Sequence, residues 1–226
     1  MVKTSIAVGI CAFVLGGCAH QGQVSEQQLA RVPSGGMARV DEARTELARA
    51  QDDVGRKTLA IASAEREVSV AKGDVRVAEA EAQRTETMSK QADFNRSAPG
   101  QRKSYEDASY FRAQKDLAES HLKAANSAVK LAQAEKQGAE AERDFATANV
   151  SSRQYDALVQ SGDPSVKETD VNAVRKNMED GRGRIQAAKS EILVAKSTAD
   201  RDRMMWEANK SQFEGRRGTG EASNSR

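Results

Sequence analysis

An apolar residue recurs at every seventh position through much of the first half of this chain. The first such row is Val40, Leu47, Val54, Ile61, Val68, Val75 and Ala82. A second row, three residues later each time, is Ala43, Ala50, Lys57, Ala64, Ala71, Ala78 and Thr85. Apolar residues that average 3.5 positions apart keep one face of a helix turned toward a partner helix when the two supercoil. The repeat therefore predicts a long coiled-coil helix over residues 37–97.

Two later segments repeat this spacing. In the middle segment, one row is mostly alanine: Phe111, Ala118, Ala125, Ala132, Ala139 and Ala146. Another row, one residue before each of these, is Tyr110, Leu117, Ala124, Leu131, Gly138 and Phe145. Such a wide apolar stripe lets a helix bury two faces, which the middle helix of three needs. The last segment has the row Val171, Met178, Ile185, Ile192, Ala199, Trp206 and Phe213, and its companion row turns polar at Asp202.

Two breaks separate the three repeats. The first contains Pro99, which resists helical geometry together with the residue before it, and Ser104 then offers an N-terminal cap. The second contains Gly162 and Pro164, with Ser165 as an alternative cap. We predict an all-α fold with helices over 37–97, 103–160 and 165–214. The expected architecture is an elongated antiparallel coiled-coil bundle, and the alternative is longer helices that pair between chains.

The composition argues against catalysis and nucleic-acid binding. The chain has 35 basic and 33 acidic residues spread along its length, so no segment forms a strongly basic surface. Neither histidine, His20 or His121, has a partner cysteine or an evident carboxylate cluster in the sequence. No nucleophile triad or phosphate-binding glycine loop is present either. We expect no catalytic residue, no metal, no cofactor and no enzyme activity.

The N-terminus has the organisation of a secretion signal. Lys3 precedes the apolar run Ile6–Leu15, which is too short to span a bilayer as a permanent helix. The run ends in Leu15, Gly16, Gly17 and Cys18, and no cysteine follows Cys18. We predict a signal peptide over residues 1–17, a flexible tether over 18–36, the helical bundle over 37–214 and a disordered tail over 215–226.

The segment Leu15–Cys18 resembles the lipobox of bacterial lipoproteins, although alanine, serine or threonine is more usual where Gly16 stands. The resemblance implies that a signal peptidase recognises Leu15, Gly16 and Gly17, and that Cys18 is acylated and anchors the mature chain in a membrane. It also implies the outer membrane, facing the periplasm, because no aspartate follows the cysteine. The alternative is a cleaved signal in which Cys18 is incidental.

The whole plan is similar to that of the coiled-coil envelope lipoproteins of Gram-negative bacteria, among them the murein lipoproteins. Those proteins bond to peptidoglycan through a terminal lysine, whereas this chain ends in Arg226, so no covalent attachment is expected. The long hairpin also resembles the helical arm of periplasmic efflux adaptors, but the strand-rich flanking domains of an adaptor are missing.

The sequence therefore predicts a non-catalytic, lipid-anchored scaffold or spacer that binds envelope proteins. The alternatives are a periplasmic holdase-type chaperone and an accessory subunit of an envelope-spanning transport or motility complex. Because alanine buries little area, we also expect local fraying, self-association or a partner that completes the core. The candidate partner-binding residues map toward the end far from the lipid: Phe94, Tyr105, Met204, Met205, Trp206 and Phe213. A plug of bulky residues that closes this end is the alternative reading of the same set.

Overall fold

The computed structural model describes residues 24–94 and 98–223, with side chains described except for 98–104, 165, 168 and 216–223. Within this part of the chain every regular element is a helix. A single turn, α1, spans Glu26–Leu29, and three long helices follow: α2 (Ser34–Phe94), α3 (Ala98–Ser161) and α4 (Val171–Ser223). A 3₁₀ helix, Pro164–Glu168, joins α3 to α4. None of the described helices is long and apolar enough to cross a membrane.

The first break lies a few residues from where the sequence predicted it. α3 begins at Ala98, so Pro99 belongs to its first turn and does not end the preceding helix. Proline is tolerated there because the first N–H groups of a helix have no partner within the helix. Ser104 consequently lies inside α3, and the prediction that it caps the helix was wrong.

The second break contains the glycine turn that the sequence predicted. Gly162 has a φ of 70°, and its N–H donates to the carbonyl of Val159 at 3.2 Å. The N–H of Asp163 donates to the carbonyl of Leu158 at 3.2 Å, which completes a Schellman motif. α4 does not begin at residue 165, however. Its cap is Asp170, whose Oδ1 accepts the N–H of Asn172 at 3.0 Å and that of Ala173 at 3.1 Å.

The heptad rows form the contacts between helices. Residues of the two α2 rows are buried or half-buried against α3, among them Val68, Ala71 and Ala78. Lys57, the charged residue that interrupts one of these rows, also contacts α3. Its Nζ lies 2.9 Å from Oε2 of Glu135. The repeat thus marks the contact face of α2 along its length.

Only α3 packs along both of the other long helices, whereas α2 and α4 scarcely approach each other within the described residues. The α3 row that includes Ala118 and Ala125 faces α2, and the row that includes Ser127 and Gly138 faces α4. At 3.6 residues per turn these two rows lie about 150° apart around the α3 axis. The three helices therefore form a nearly flat layer with α3 in the middle.

Polar contacts fix the order in which residues meet along the layer. As residue numbers increase along α2, the residue numbers of the partners on α3 decrease. Glu46 bonds Asn149 at 3.2 Å, and Lys57, further along α2, pairs with Glu135. Between α3 and α4 the same trend holds, since Asp144 accepts from Arg184 at 3.0 Å and the rings of His121 and Trp206 stack.

The N-terminal end of the layer is closed by a small apolar cluster, which we call the base. Its buried members are Leu29, Val32, Val40, Ala157 and Leu158, with Val24, Met37 and Val166 packed against them. Ser25 and Gln28 form a capping box on α1, and Arg44 on α2 bonds Glu26 at 2.7 Å. Residues 24–33, which lie in the segment predicted as a flexible tether, are therefore folded onto the bundle here. At the other end, α4 continues to Ser223, beyond residue 214 and into the predicted tail.

Candidate functional site

An open groove runs along one face of the layer, with α3 as its floor and α2 and α4 as its walls. Its lower part, on the side of the base and near Lys57, Glu135 and Ile192, has a volume of about 280 Å³. Its upper part is larger and more apolar, with a volume of about 480 Å³. Val77 and Leu117 are among the residues that line it. We therefore take the upper groove as the candidate site.

His121 joins all three long helices at the upper groove. Its Nε2 lies 3.1 Å from Oε1 of Glu67, and its Nδ1 lies 3.7 Å from Oδ2 of Asp74, both on α2. Its ring stacks on Trp206 of α4, with centroids 4.5 Å apart and planes 20° from parallel. Lys210 adds a cation 5.9 Å above the same indole. No carboxylate cluster around His121 was evident in the sequence, and the structure brings two carboxylates of α2 to its ring.

No local signal could have revealed these partners, because they come from other helices. Aligning the heptad rows of two helices in the pairing order seen here would have placed Glu67 opposite His121. The described residues contain no group of three or more His, Cys, Asp or Glu side chains that could hold a metal ion. The two carboxylates are more than half exposed, so this cluster is a water-accessible polar junction.

The structure divides the six candidate partner-binding residues among three places. Trp206 and Phe213 are half-buried and line the upper groove. The ring of Phe213 packs against Tyr110 with centroids 5.0 Å apart. Met204 and Met205 are 62% and 51% exposed on α4. Trp206 and Phe213 are therefore packed against α3 residues, whereas the two methionines are open to solvent.

The remaining two candidates lie where α2 gives way to α3. Phe94, the last residue of α2, is 88% exposed, and Tyr105 is 57% exposed. The Tyr105 hydroxyl donates to the carboxylate of Asp93 at 3.0 Å from Oδ2. This hydrogen bond and the negative charge of Asp93 raise the pKa of Tyr105. The end of α2 and the first part of α3 thus expose two aromatic side chains, of which one is held by a hydrogen bond.

A buried carboxylate occupies the contact face of α4, where the sequence row turned polar. Asp202 is 3% exposed and accepts a 2.6 Å hydrogen bond from the Ser127 hydroxyl on α3. Lys123 Nζ and Arg201 Nη2 lie 3.4 Å and 3.3 Å from its Oδ1. The hydrogen bond from Ser127, together with these cations, holds the pKa of Asp202 below its usual value although burial acts in the opposite direction. The arrangement fixes the α3–α4 pairing.

The predicted lipidation site falls outside the described residues. Cys18 and the preceding Leu15, Gly16 and Gly17 all precede Val24, the first residue that the structure describes. Val24 itself packs against the base.

No family model, curated protein or solved structure matches this chain.

Proposed function

We propose that this protein is a non-catalytic, lipid-anchored spacer or scaffold of the bacterial outer membrane, facing the periplasm. In this proposal Cys18 carries the lipid, and the three helices form an antiparallel coiled-coil rod that binds envelope proteins. Two observations support that architecture. Residue numbers that increase along one helix pair with decreasing residue numbers on its neighbour, and the buried rows have heptad spacing. The open, water-accessible character of the groove supports binding in preference to catalysis.

The observation that carries the proposal is the position of Val24 at one end of the rod. Val24 packs on the same base as Leu158 at the end of α3, whereas Phe94 lies at the far end of α2. At most about 3.5 Å of chain per residue separates Cys18 from Val24. A lipid on Cys18 would therefore keep the base near the membrane, and the 61 residues of α2 would carry the far end about 90 Å away.

Palmitate labelling and fractionation test the anchor. The full chain and a Cys18→Ser variant are expressed in a Gram-negative host that is fed labelled palmitate. We expect the native chain to incorporate label and to sediment with outer-membrane vesicles, and the variant to lose both properties. An unlabelled native chain would contradict the lipid anchor.

Photo-crosslinking in cells tests the scaffold role. A photoreactive residue replaces Phe94 at the far end, and the matched control carries it at Asn126, an exposed position on the opposite face of α3 from the groove. We expect one dominant envelope protein to be captured at Phe94 and not at Asn126. Many products at both positions would contradict a scaffold and would favour the holdase, for which the wide upper groove with its exposed apolar walls is the supporting observation.

A further inference from the structure

The two walls of the groove carry opposite charges. On α2, every seventh residue along the groove is acidic except Ala60, and this acidic row is Glu46, Asp53, Glu67, Asp74 and Glu81. On α4, every seventh residue along the groove is basic and exposed, and this basic row is Arg175, Arg182, Lys189, Lys196, Arg203 and Lys210. Asp53 and Lys189 line the lower groove together, and Asp74 and Lys210 line the upper groove together. The two rows therefore edge the groove on opposite sides.

The two rows do not neutralise each other across the groove. In the described part of the chain no ion pair joins a member of one row to a member of the other. Asp53 pairs instead with Arg56 on its own helix, and Arg203 pairs with Glu207 on its own. Short-range pairs at the surface contribute little, so both rows remain able to bond a partner that enters the groove.

The distance between the walls suits a helix. α2 and α4 contact rows of α3 that lie about 150° apart, so at the usual 8–10 Å between packed helix axes their own axes are roughly 17 Å apart. This distance is too large for α2 and α4 to pack against each other. A further helix, about 10–12 Å across with its side chains, can rest on α3 between them.

Apolar side chains lie between the charged rows. Val77, Leu117 and Phe213 are among those that line the upper groove, and Ile185 and Ile192 line the lower groove. Ile192 and Phe213 belong to one heptad row of α4, and at 1.5 Å per residue they are about 30 Å apart along the helix. A helix of about six turns can therefore contact apolar residues at both ends of the groove.

We propose that the groove binds one amphipathic α-helix of a partner protein. The helix lays its apolar stripe on α3, turns an edge of Lys or Arg toward the acidic row of α2, and turns an edge of Asp or Glu toward the basic row of α4. The proposal rests on the proposed scaffold function, because it specifies the kind of segment that an envelope partner inserts. Since the walls differ in sign, a helix with the same charge on both edges meets repulsion at one wall.

Designed peptides that bind to the full-length chain test the proposal. The probe is a peptide of roughly 24 residues, about 36 Å long as a helix, with Leu and Ala at its heptad core positions, Arg along one edge and Glu along the other. Two control peptides of the same length and core carry Glu on both edges or Arg on both edges. None of the peptides contains tryptophan, so the fluorescence of Trp206, the one tryptophan of the chain, reports binding in the upper groove.

We expect the mixed-edge peptide to bind about ten-fold more tightly than either control peptide, because each control sets like charges against one wall. A variant with Lys189→Glu, Lys196→Glu and Arg203→Glu reverses most of the basic row. The peptide with Arg on both edges should then bind most tightly. Circular dichroism shows whether the variant is still helical, and the comparison of peptides on the native chain does not depend on it.

The matched control variant carries Arg76→Glu, Lys130→Glu and Lys176→Glu. It changes the net charge by the same amount at exposed positions that line neither part of the groove. This variant should keep the preference of the native chain, and a switch of preference here would show that net charge, and not the groove, selects the peptide.

Three other outcomes would overturn the proposal. Equal binding of the three peptides would fit a groove that accepts apolar segments without regard to charge, as a holdase does. Absence of binding would leave the groove without a helical ligand, and a stable dimer that the mixed-edge peptide does not dissociate would indicate that a second copy fills it. Palmitate labelling and crosslinking at Phe94 report the anchor and the scaffold separately, so both can succeed where the groove proposal fails.

Discussion

Removing the Ser127 hydroxyl should destabilise the bundle in a way that depends on pH. In a Ser127→Ala variant, the buried carboxylate of Asp202 loses the 2.6 Å hydrogen bond that α3 supplies. A hydrogen bond to a charged group contributes about 1.5–3 kcal/mol. Lys123 and Arg201 still contact Asp202, so we expect a loss near the lower end of that range, at about 1.5 kcal/mol at pH 7.

The pH dependence follows from the lowered pKa of Asp202. Its carboxyl has a lower pKa in the folded chain than the value of about 3.9 in an unfolded one. The stabilisation is therefore complete above that unfolded value, and it disappears as the pH falls through the folded-state pKa. The free energies of unfolding of the native chain and the variant should therefore begin to converge as the pH falls below about 4.

Urea unfolding followed by far-ultraviolet circular dichroism measures these differences at pH 7 and pH 3. Ser190→Ala is the control for the serine-to-alanine change alone, because Ser190 is exposed on α4. A double variant, Ser127→Ala with Asp202→Ala, should recover to within about 1 kcal/mol of the native chain, since replacing both partners leaves no unpaired buried charge. An equal loss at both pH values, or a double variant less stable than Ser127→Ala, would refute this reasoning.

Three further tests of the packing use the same unfolding assay. Leu158→Ala at the fully buried base should cost about 2–5 kcal/mol, whereas Leu193→Ala, at a site 68% exposed, should change stability by less than about 0.5 kcal/mol; equal losses would contradict the assignment of the base. Gly183→Ala, where a Cβ meets open space, should stabilise α4 by about 1 kcal/mol, and Gly181→Ala should not, because its Cβ would press on α3 at 3.2–3.3 Å; a matching gain at both sites would argue against that close approach. Gly162→Ala should destabilise the α3–α4 turn by about 1–2 kcal/mol because its φ is 70°, and an unchanged midpoint would count against the left-handed turn.

Much of the local structure could be predicted from the sequence, because the heptad repeat depends only on residue spacing within one helix. The α2 rows that contain Val68, Ala71 and Ala78 were predicted to be buried, and they are. Gly162 was predicted to end the second helix, and it does so with a left-handed φ. The helix ends were predicted less well, because capping by Asp170 and the 3₁₀ turn depend on a few weak hydrogen bonds that compete with helical continuation.

The partner of a given residue on another helix could not be predicted, since one heptad row shifted by seven residues against another still pairs apolar residues with apolar residues. The sequence alone determined that long helices form and which of their faces are apolar, because both follow from residue spacing within one helix. Only the tertiary structure decided which row meets which, through contacts between distant residues such as Lys57 with Glu135 and Ser127 with Asp202. The tertiary structure also decided that α2 and α4 flank α3 on opposite sides, because the position of each neighbour around α3 depends on contacts between helices and not on spacing within one helix.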